Sequence, residues 1–478
     1  MNYALISLTA PLVSALLLVF LGYMSGRKHT GLWVLGGSVV SLVSAALALQ
    51  SAMQAGLPQT INLGGWAEDL GISLRLSSLS ALLLVFTAFI HLLVGTYARF
   101  SRHAPHQDFW MLSAFLHASL NALWLSADLF NLYITLELIG LAAVAMVALS
   151  GARAYKAASD YLLLSLAASL IYLLGVVLIY AQYQTLNLVH LASISSDNTL
   201  TRLALVLMTA ALMLKGALWP LHLWLPAAHA SAPTAVSALL SGIVVKAPLF
   251  ILWLIWTELA PPELAKQVGP AVAAAGMIAL SAAGWSAMRT PYIKVLVAYS
   301  TIAQLGYALM ALGLLMSWQL PQLHIALWLF VIAHGLAKTS LFLAAGEMQG
   351  TLGTKRLSGL RGATQTVPVA MFAFAVAGGS LIGLPPSGGF LAKWVLLEPM
   401  LNQPQYWPWA LGVLLGTLVS AAYIFRVVAL SFDRARINPP DRQPDRAGHW
   451  LALLPALLVW GMALIGNQLI LILAGGGI

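Results

Sequence analysis

The sequence contains no cysteine and very few charged residues. The absence of cysteine excludes disulfides, thiol nucleophiles and iron–sulfur clusters bound by this chain. Lysine, arginine, aspartate and glutamate together make up 8% of the 478 residues, whereas a soluble domain contains about 25%. Hydrophobic residues account for 60% of the chain. This composition leaves little room for a soluble domain and predicts a multi-pass membrane protein.

Motifs that bind cofactors are also missing from the sequence. It contains no GxGxxG sequence, no Walker loop and no EF-hand, so we expect no cofactor and no bound metal. With no redox ligands or hydrolytic site, the chain is not itself an oxidoreductase, although it can belong to an oxidoreductase complex. The net charge of +9 is compatible with nucleic-acid binding, but the positions of the charges indicate membrane orientation instead, with no nucleic-acid partner.

The hydrophobic residues form runs of about 20 residues, the length of a membrane-spanning helix. The first run, 4–24, is too long for the core of a signal peptide, which has about 7–15 residues. We therefore predict an all-α polytopic protein with fourteen membrane spans. The predicted spans are 3–24, 31–54, 75–98, 109–126, 128–150, 159–181, 202–225, 233–257, 268–288, 294–316, 320–346, 367–399 (broken), 406–430 and 448–474.

The basic residues divide unequally between the two sets of predicted loops. One set of alternate loops carries fifteen: Arg27, Lys28, Arg99, Arg102, Arg153, Lys156, Arg289, Lys294, Lys355, Arg356, Arg361, Arg434, Arg436, Arg442 and Arg446. The opposite set carries three: Arg75, Arg202 and Lys266. Because cytoplasmic loops are enriched in lysine and arginine, this distribution predicts that both termini lie on the external side of the membrane.

Two helical runs near the middle of the chain each contain a lysine. Lys215 lies in the run 209–225, which Pro220 and Pro226 interrupt, and Lys246 lies in the run 233–255. A lysine within a membrane helix costs about 2.5–3.5 kcal/mol on insertion scales, and a broken helix at membrane depth is tolerated where it lines a cavity or is buried in protein. These features indicate an ion path. The alternative is a proline kink with a lysine that extends to the interface.

A second interrupted helix lies near the end of the chain. Pro385–Pro386 and Gly388–Gly389 break the run 376–398, and Lys393 follows the break. Paired broken helices in corresponding positions are typical of transporter repeats. The broken spans are the seventh and twelfth, an odd separation, which predicts that the repeats have inverted topology. The predicted organisation is a three-helix segment at 1–108, five-helix repeats at 109–257 and 268–430, and an internal loop with a C-terminal helix at 431–478.

Glu137 is the one carboxylate predicted near the middle of a membrane span, in 128–150. A nearby lysine keeps such a carboxylate ionised and loss of the lysine favours the neutral form, which makes the residue a candidate proton switch. A purely structural ion pair is the alternative. Asp128 is predicted to cap the start of the same helix.

His334 and Lys338 are four residues apart and share one face of a predicted helix, an arrangement suited to proton transfer near neutral pH. His222 is predicted near the face of Lys215. His229 is predicted at the internal mouth, either as a relay group or as a loop hydrogen-bonding group. Ser300 and Gln304 are predicted to hold water or to serve polar packing. The candidate proton relay is Glu137, Lys215, Lys246, His334, Lys338 and Lys393.

Five motifs resemble a known family. They are 128-DLFNLYITLEL-138, 215-KGALWPLHLWLPAAHASAPTAVSALLSGIVVK-246, 294-KVLVAYSTIAQLGY-307, 334-HGLAKTSLFL-343 and 384-LPPSGGFLAKW-394. The chain resembles the antiporter-like membrane subunits of respiratory complex I, membrane-bound hydrogenases and Mrp-type Na⁺/H⁺ antiporters, and DLFNLY is most similar to the Mrp branch. Ala227, Leu136 and Leu138 depart from the commoner residues of the family.

The resemblance implies fourteen helices with two inverted five-helix repeats, a Glu137–Lys215 pair, a central relay of Lys246, His334 and Lys338, and a terminal Lys393. It also implies other membrane subunits as partners, with protons and sodium ions as transported ions, and a location in a bacterial cytoplasmic (inner) membrane, where the external side is the periplasm. Three functions remain open: a subunit of a cation/proton antiporter, a proton-pumping subunit of a quinone reductase, hydrogenase or inorganic-carbon uptake complex, and a structural scaffold.

Overall fold

The computed structural model describes residues 1–24, 30–62, 72–101, 106–433 and 443–475. Six basic residues of the loop pattern lie outside the described residues: Arg27, Lys28, Arg102, Arg434, Arg436 and Arg442. The helices are α1 Asn2–Met24, α2 Thr30–Ala55, α3 Ser78–Phe100, α4 Asp108–Leu125, α5 Leu129–Ala148, α6 Ala152–Tyr183, α7 Leu188–Ile194, α8 Thr199–Lys215, α9 Trp224–Ser231, α10 Thr234–Leu239, α11 Lys246–Leu254, α12 Pro262–Arg289, α13 Ile293–Trp318, α14 Pro321–Leu352, α15 Ala363–Thr366, α16 Pro368–Ile382, α17 Gly388–Leu401, α18 Trp407–Phe432, α19 Arg446–Gly461 and α20 Gly466–Gly475.

The helices confirm an all-α membrane protein. Within the described residues, eleven helical segments are long and apolar enough to cross a membrane. One of them, Thr234–Leu259, joins α10 and α11 through a π-helical turn and ends in another. The remaining three predicted spans correspond to α4, to the broken pair α8 and α9, and to the broken pair α16 and α17. The bilayer favours helices because every backbone polar group must be satisfied within the segment.

A short β-hairpin replaces the beginning of the third predicted span. Strand β1, Gln59–Asn62, pairs antiparallel with β2, Ser73–Leu76, so Arg75 lies in a strand and the helix begins only at Ser78. Ser77 and Ser80 form a capping box at this helix start, which satisfies two backbone donors. Arg75 donates two hydrogen bonds to Glu258, at 2.9 and 2.6 Å, and so attaches the hairpin to the end of the segment Thr234–Leu259.

The two helix breaks lie near their predicted positions but differ in detail. The first covers residues 216–223 and contains Pro220; Pro226 lies within α9, close to the helix start, where proline is tolerated. The second covers residues 383–387. Gly388 and Gly389 are the first residues of α17 and not part of the break, because the Ser387 hydroxyl accepts a hydrogen bond from the backbone of Phe390 and starts the helix there.

Several helices are longer than their hydrophobic runs. Helix α6 begins at Ala152, whereas the predicted span begins at 159, and α14 continues to Leu352, beyond the predicted end at 346. The extension of α14 carries Glu347 into the protein interior, where it is fully buried. The last predicted span consists of α19, a 3₁₀ turn and α20.

The centre of the molecule is formed by α13, α14 and the segment Thr234–Leu259. The apolar parts of α14 and Thr234–Leu259 are completely buried, whereas α1, α2, α6 and α18 bury only about a third of theirs. Helices α12 and α13 approach closely because glycines face each other: a Cβ on Gly276 would lie 2.5 Å from the carbonyl oxygen of Gly306. Lys246, His334 and Lys338 of the candidate relay therefore lie in the most enclosed part of the fold, whereas Glu137, Lys215 and Lys393 lie on α5, α8 and α17.

Candidate proton relay

Glu137 and Lys215 form an ion pair between α5 and α8. The Asp128 carboxylate accepts hydrogen bonds from the backbone of Phe130 and Asn131, both at 2.9 Å, and so caps α5 as predicted. Further along this helix, Glu137 Oε1 lies 2.5 Å from Lys215 Nζ. The lysine side chain is 4% exposed and the glutamate side chain 18% exposed, so the lysine is the more deeply buried partner.

The helix break after Lys215 connects this pair to the centre of the protein. Lys215 is the last residue of α8, and the backbone turns at Gly216. A Cβ on Gly216 would lie 3.4 Å from Cβ of Pro248, which belongs to the first turn of α11. Since α11 begins at Lys246, the end of α8 and the start of α11 are adjacent. The break thus positions Lys215 near the helix start that carries the next lysine.

Lys246 is positioned by a π-helical turn at Leu240–Val244. Its ammonium group donates a hydrogen bond to the backbone carbonyl of Ser241, which lies within this turn. The Ser241 hydroxyl is 2.9 Å from the hydroxyl of Thr301 on α13. Lys246 is 1% exposed. π-Helical turns are frequent at functional sites, and this one connects a buried lysine with α13.

Lys338 and His334 lie one turn apart on α14. Lys338 is fully buried and donates hydrogen bonds to the Ser300 hydroxyl and, at 3.1 Å, to the Val297 carbonyl. His334 is 1% exposed and stacks on Phe330, and neither ring nitrogen has a hydrogen-bond partner in the described part of the chain. The charges of Lys246 and Lys338 both act on this ring. The imidazole therefore lies within the electrostatic influence of both lysines.

One face of α13 carries the polar groups that continue from Lys338 toward Lys393. Ser300 is followed by Gln304 and Tyr307, which occupy the next turns on the same face. The Gln304 amide donates hydrogen bonds to Ser420 at 2.8 Å and to the Leu381 carbonyl at 3.3 Å. Ser300 and Gln304 thus both take part in hydrogen bonds between helices, and Ser300 accepts a hydrogen bond from Lys338, one of the candidate relay lysines.

Lys393 lies against the end of the broken helix α16. Its ammonium group donates hydrogen bonds to the carbonyls of Leu381 and Ile382, both at 2.9 Å, and it lies 4.3 Å from the centroid of the Tyr307 ring. The last carbonyls of a helix have no partner within the helix and carry partial negative charge. The break supplies these acceptors, and the Leu381 carbonyl is shared with Gln304.

The four candidate relay lysines differ in the groups to which they donate hydrogen bonds. Among the described residues, Lys215 alone of these lysines is paired with a carboxylate, whereas Lys246, Lys338 and Lys393 donate only to neutral oxygens. When Lys246, Lys338 or Lys393 loses a proton, no ion pair with a carboxylate of the described residues is broken. This arrangement suits groups that release and accept protons in turn.

The two additional histidines have different environments. His222 is half-buried within the break, 6.3 Å from the Tyr299 ring; because residues 216–223 are not helical, it cannot be placed on a shared helical face with Lys215. His229 is fully buried and stacks on Phe342 at 4.4 Å, and neither of its ring nitrogens has a hydrogen bond to the residues that the structure describes. It lies inside the protein and not at an open mouth, and the charges of Lys294, Lys338 and Lys246 act on it.

Residues 126–419 match the family model described as NADH:quinone oxidoreductase/Mrp antiporter, transmembrane. The chain is 33% identical to NADH-quinone oxidoreductase subunit N of Desulforudis audaxviator, over 91% of this chain and 88% of that protein. This chain belongs to the NADH:quinone oxidoreductase/Mrp antiporter membrane family. Similar proteins also include an Na⁺/H⁺ antiporter subunit of Bacillus subtilis, which is 26% identical over 90% of this chain and 87% of that protein.

Comparison with a solved structure confirms the fold of this chain. A chain of the Mrp complex from Dietzia superposes with a TM-score of 0.89, covering 100% of this chain and 97% of that one, at 23% identity. The similarity at this identity concerns the fold. It supports the all-α architecture that the hydrophobic pattern predicts.

Glu347 and Lys294 are among the buried charged residues that the sequence analysis does not predict to be buried. Glu347 lies outside the predicted eleventh span but is fully buried, and the Tyr97 hydroxyl donates a hydrogen bond to it at 2.5 Å. Lys294, predicted in a basic loop, is buried at the start of α13 and donates to the Ala232 carbonyl at 3.2 Å. Glu347 follows Lys338 by nine residues on α14. Because the predicted span ends at residue 346, the sequence analysis does not place Glu347 on the same helix as Lys338.

Proposed function

We propose that this chain is the proton-translocating subunit of a multi-subunit cation/proton antiporter, with Na⁺ as the exchanged cation. Protons move through Glu137, Lys215, Lys246, His334, Lys338 and Lys393, and His222 and His229 are further candidate relay groups. The name of the Bacillus subtilis relative, a subunit of an Na⁺/H⁺ antiporter, supports this function. Its partners are the other membrane subunits of the complex, the transported protons and sodium ions, and the lipid bilayer.

The observation that carries the proposal is the succession of buried amines across the centre of the fold. The Glu137–Lys215 pair lies at one end, Lys246, His334 and Lys338 lie at the centre, and Lys393 lies at the other end. Buried ionisable residues in membrane helices mark proton relays in pumps and transporters. A proton arriving at Glu137 frees Lys215 to donate toward Lys246, and the polar face of α13 carries the exchange on to Lys393.

The two helix breaks support two inverted five-helix repeats at 109–257 and 268–430, between the segments 1–108 and 431–478. Each break lies beside a lysine of the proposed relay. The first break follows Lys215, the last residue of α8, and the second precedes Lys393, which lies in the first turns of α17 against the end of α16. The unequal loop charges support an inner-membrane orientation with both termini on the periplasmic side. Each repeat then provides one half of the proton path.

The second candidate is a proton-pumping subunit of a complex I-like quinone reductase, a membrane-bound hydrogenase or an inorganic-carbon uptake complex. The relative named NADH-quinone oxidoreductase subunit N is 33% identical, against 26% for the Bacillus subtilis antiporter subunit. The same relay serves both functions, because the redox chemistry of a pump takes place in other subunits. The neighbouring subunits therefore distinguish the two candidates.

Purification of the complex from its native membrane tests the choice. The tagged chain is extracted in mild detergent and the co-purifying subunits are identified by mass spectrometry. Small membrane subunits support the antiporter, and iron–sulfur or nickel subunits support the pump. The purified complex is then reconstituted into vesicles, where proton flux is driven either by a Na⁺ gradient or by the substrates of the co-purified enzyme subunits. A complex that moves no protons under either driving force contradicts both candidates and favours a structural scaffold.

Replacement of Lys393 tests whether this amine releases its proton. We expect Lys393→Ala and Lys393→Arg each to lower proton flux by about a hundredfold, the scale of a lost proton-transfer group. Arginine keeps the positive charge and can donate to Leu381 and Ile382, but it does not deprotonate in proteins. The measurement is proton flux in vesicles, normalised to the amount of assembled complex.

Lys266→Arg is the matched control, because Lys266 is exposed and pairs with Glu263 at 2.9 Å on the surface of α12. It should transport like the wild type. A fully active Lys393→Arg variant would show that Lys393 acts only as a fixed positive charge, and the proton path would then end before α17.

A further inference from the structure

A second buried cluster of titratable side chains lies outside the relay, where α3, α14 and α19 meet. Glu347 of α14 is fully buried. Its Oε1 accepts a hydrogen bond of 2.5 Å from the Tyr97 hydroxyl of α3, and its Oε2 lies 3.5 Å from Nε2 of His449 on α19. The three side chains come from positions far apart in the chain, so only the packing of these helices brings them together.

The cluster is tightly enclosed by backbone and small residues. A Cβ on Gly448 would lie 2.5 Å from Glu347 Oε1, so the glycine allows α19 to approach the carboxylate. Two turns earlier on the same face of α14, the Ser340 hydroxyl donates to the Ala452 carbonyl of α19 at 2.7 Å. Tyr97 is 1% exposed, and the His449 side chain 5%. The site is therefore a closed contact between helices.

The groups that act on Glu347 are Tyr97 from α3, His449 from α19, and Asp445, which directly precedes α19. In the part of the chain that the structure describes, no lysine or arginine forms an ion pair with this carboxylate. Burial of a carboxylate without a cation is costly, and the imidazole can balance the charge only when it is protonated. The enclosure therefore favours states in which Glu347 and His449 together hold at least one proton.

We propose that Glu347, His449 and Tyr97 form a proton-binding site that supplies the relay at Lys338. Binding converts the carboxylate to a carboxylic acid: the proton resides on Oε2, which faces Nε2 of His449, while Tyr97 keeps its hydrogen bond to Oε1. This inference rests on the proposed function, and it adds a loading site for the transported proton that the six relay residues do not include.

The position of Glu347 relates the site to Lys338. The two residues are nine positions apart on α14, or about 14 Å at a rise of 1.5 Å per residue. His229 lies against Phe342, between them along the helix, and its ring nitrogens are unpaired among the residues described. Helix α14 ends at Leu352, just before the basic residues Lys355 and Arg356. The site thus lies between the relay and the side of the membrane to which the loop charges assign the cytoplasm.

Infrared spectroscopy tests proton binding without relying on transport. The whole complex is purified from its native membrane, placed in nanodiscs and titrated with acid while the C=O stretching band of protonated carboxylic acids is recorded. We expect a band that the Glu347→Gln variant lacks and that Glu263→Gln, an exposed control, retains. Tyr97→Phe keeps the carboxyl group but removes its hydrogen bond, so the band should shift in frequency. The proposal is overturned if Glu347→Gln titrates like the wild type. If Glu347→Gln does not assemble, the proposal is overturned when the band of Tyr97→Phe has the same frequency as that of the wild type.

Proton flux in vesicles tests delivery to Lys338. We expect Glu347→Gln to slow proton uptake from the cytoplasmic side by about a hundredfold, the low end for loss of a proton-transfer group, with the largest effect when protons are scarce on that side. Wild-type flux at every cytoplasmic pH overturns the proposal even if the infrared band is lost. Absence of flux in the wild-type complex contradicts the proposed function instead, and the infrared titration still decides whether Glu347 binds a proton.

Discussion

The Glu137→Gln variant should lose proton transport while the complex still assembles in the membrane. Glutamine has nearly the same shape as glutamate and can accept the hydrogen bond from Lys215, but it does not titrate. Since Glu137 is the carboxylate partner of Lys215, the first lysine of the proposed relay, at 2.5 Å, flux should fall by at least about a hundredfold. Proton flux in vesicles, normalised to assembled complex, measures the effect.

The Arg75–Glu258 pair offers a control with similar chemistry outside the relay. Glu258 is buried and accepts two hydrogen bonds from Arg75, so Glu258→Gln also removes the carboxylate from an ion pair. We expect this variant to be less stable but to transport protons. Wild-type flux in Glu137→Gln would remove Glu137 from the relay, whereas equal loss of flux in both variants would point to destabilisation as the cause.

Removal of Lys215 should destabilise the protein and stop transport. A second substitution at Glu137 should then restore the stability but not the transport. Lys215→Met leaves the Glu137 carboxylate without its partner in a site where the lysine is 4% exposed. Loss of one partner of a buried pair costs on the order of 3–5 kcal/mol; because the Glu137 side chain is 18% exposed, we expect the lower end. The double variant Glu137→Gln with Lys215→Met removes both charges of the pair, so it should regain most of the stability but no activity.

A double-mutant cycle measures the coupling between the two sites. Thermal unfolding of the wild type, the two single variants and the double variant is followed in detergent, beside proton flux for each. If the stability losses are additive, the side chains do not interact energetically, and the path through the first half of the protein runs elsewhere. A double variant that transports protons would show that neither charge belongs to the relay.

The hydrophobic pattern predicts most of the helices because a membrane span depends on local composition. Spans such as 31–54 and 294–316 agree with α2 and α13 to within a few residues. Local chemistry also predicts the cap at Asp128 and breaks near Pro220 and Pro385–Pro386, where proline removes a backbone donor. The pattern does not predict the strand at Ser73–Leu76 or the added turn of α14, because hairpin pairing and helix length depend on contacts with distant segments.

The candidate relay is likewise only partly accessible from the sequence. A lysine or glutamate within an apolar run is conspicuous, because its burial is costly and implies a partner. The partner itself is a matter of tertiary structure. Lys393 binds the free carbonyls at the end of α16, Lys338 binds Ser300, and Lys294, counted as a loop residue, donates to Ala232. Whether these amines transfer protons stays a prediction for the flux measurements.

The sequence alone determines that this chain is a multi-pass helical membrane protein, which residues are costly to bury and which family it resembles, because composition, spacing and motifs are local properties. The tertiary structure alone decides that Glu137 pairs with Lys215 at 2.5 Å and that Tyr97, Glu347 and His449 meet. Glu347 lies beyond the apolar run, and its burial follows from the packing of α3 and α19 against α14. Helices far apart in the chain create that environment, and no local pattern records it.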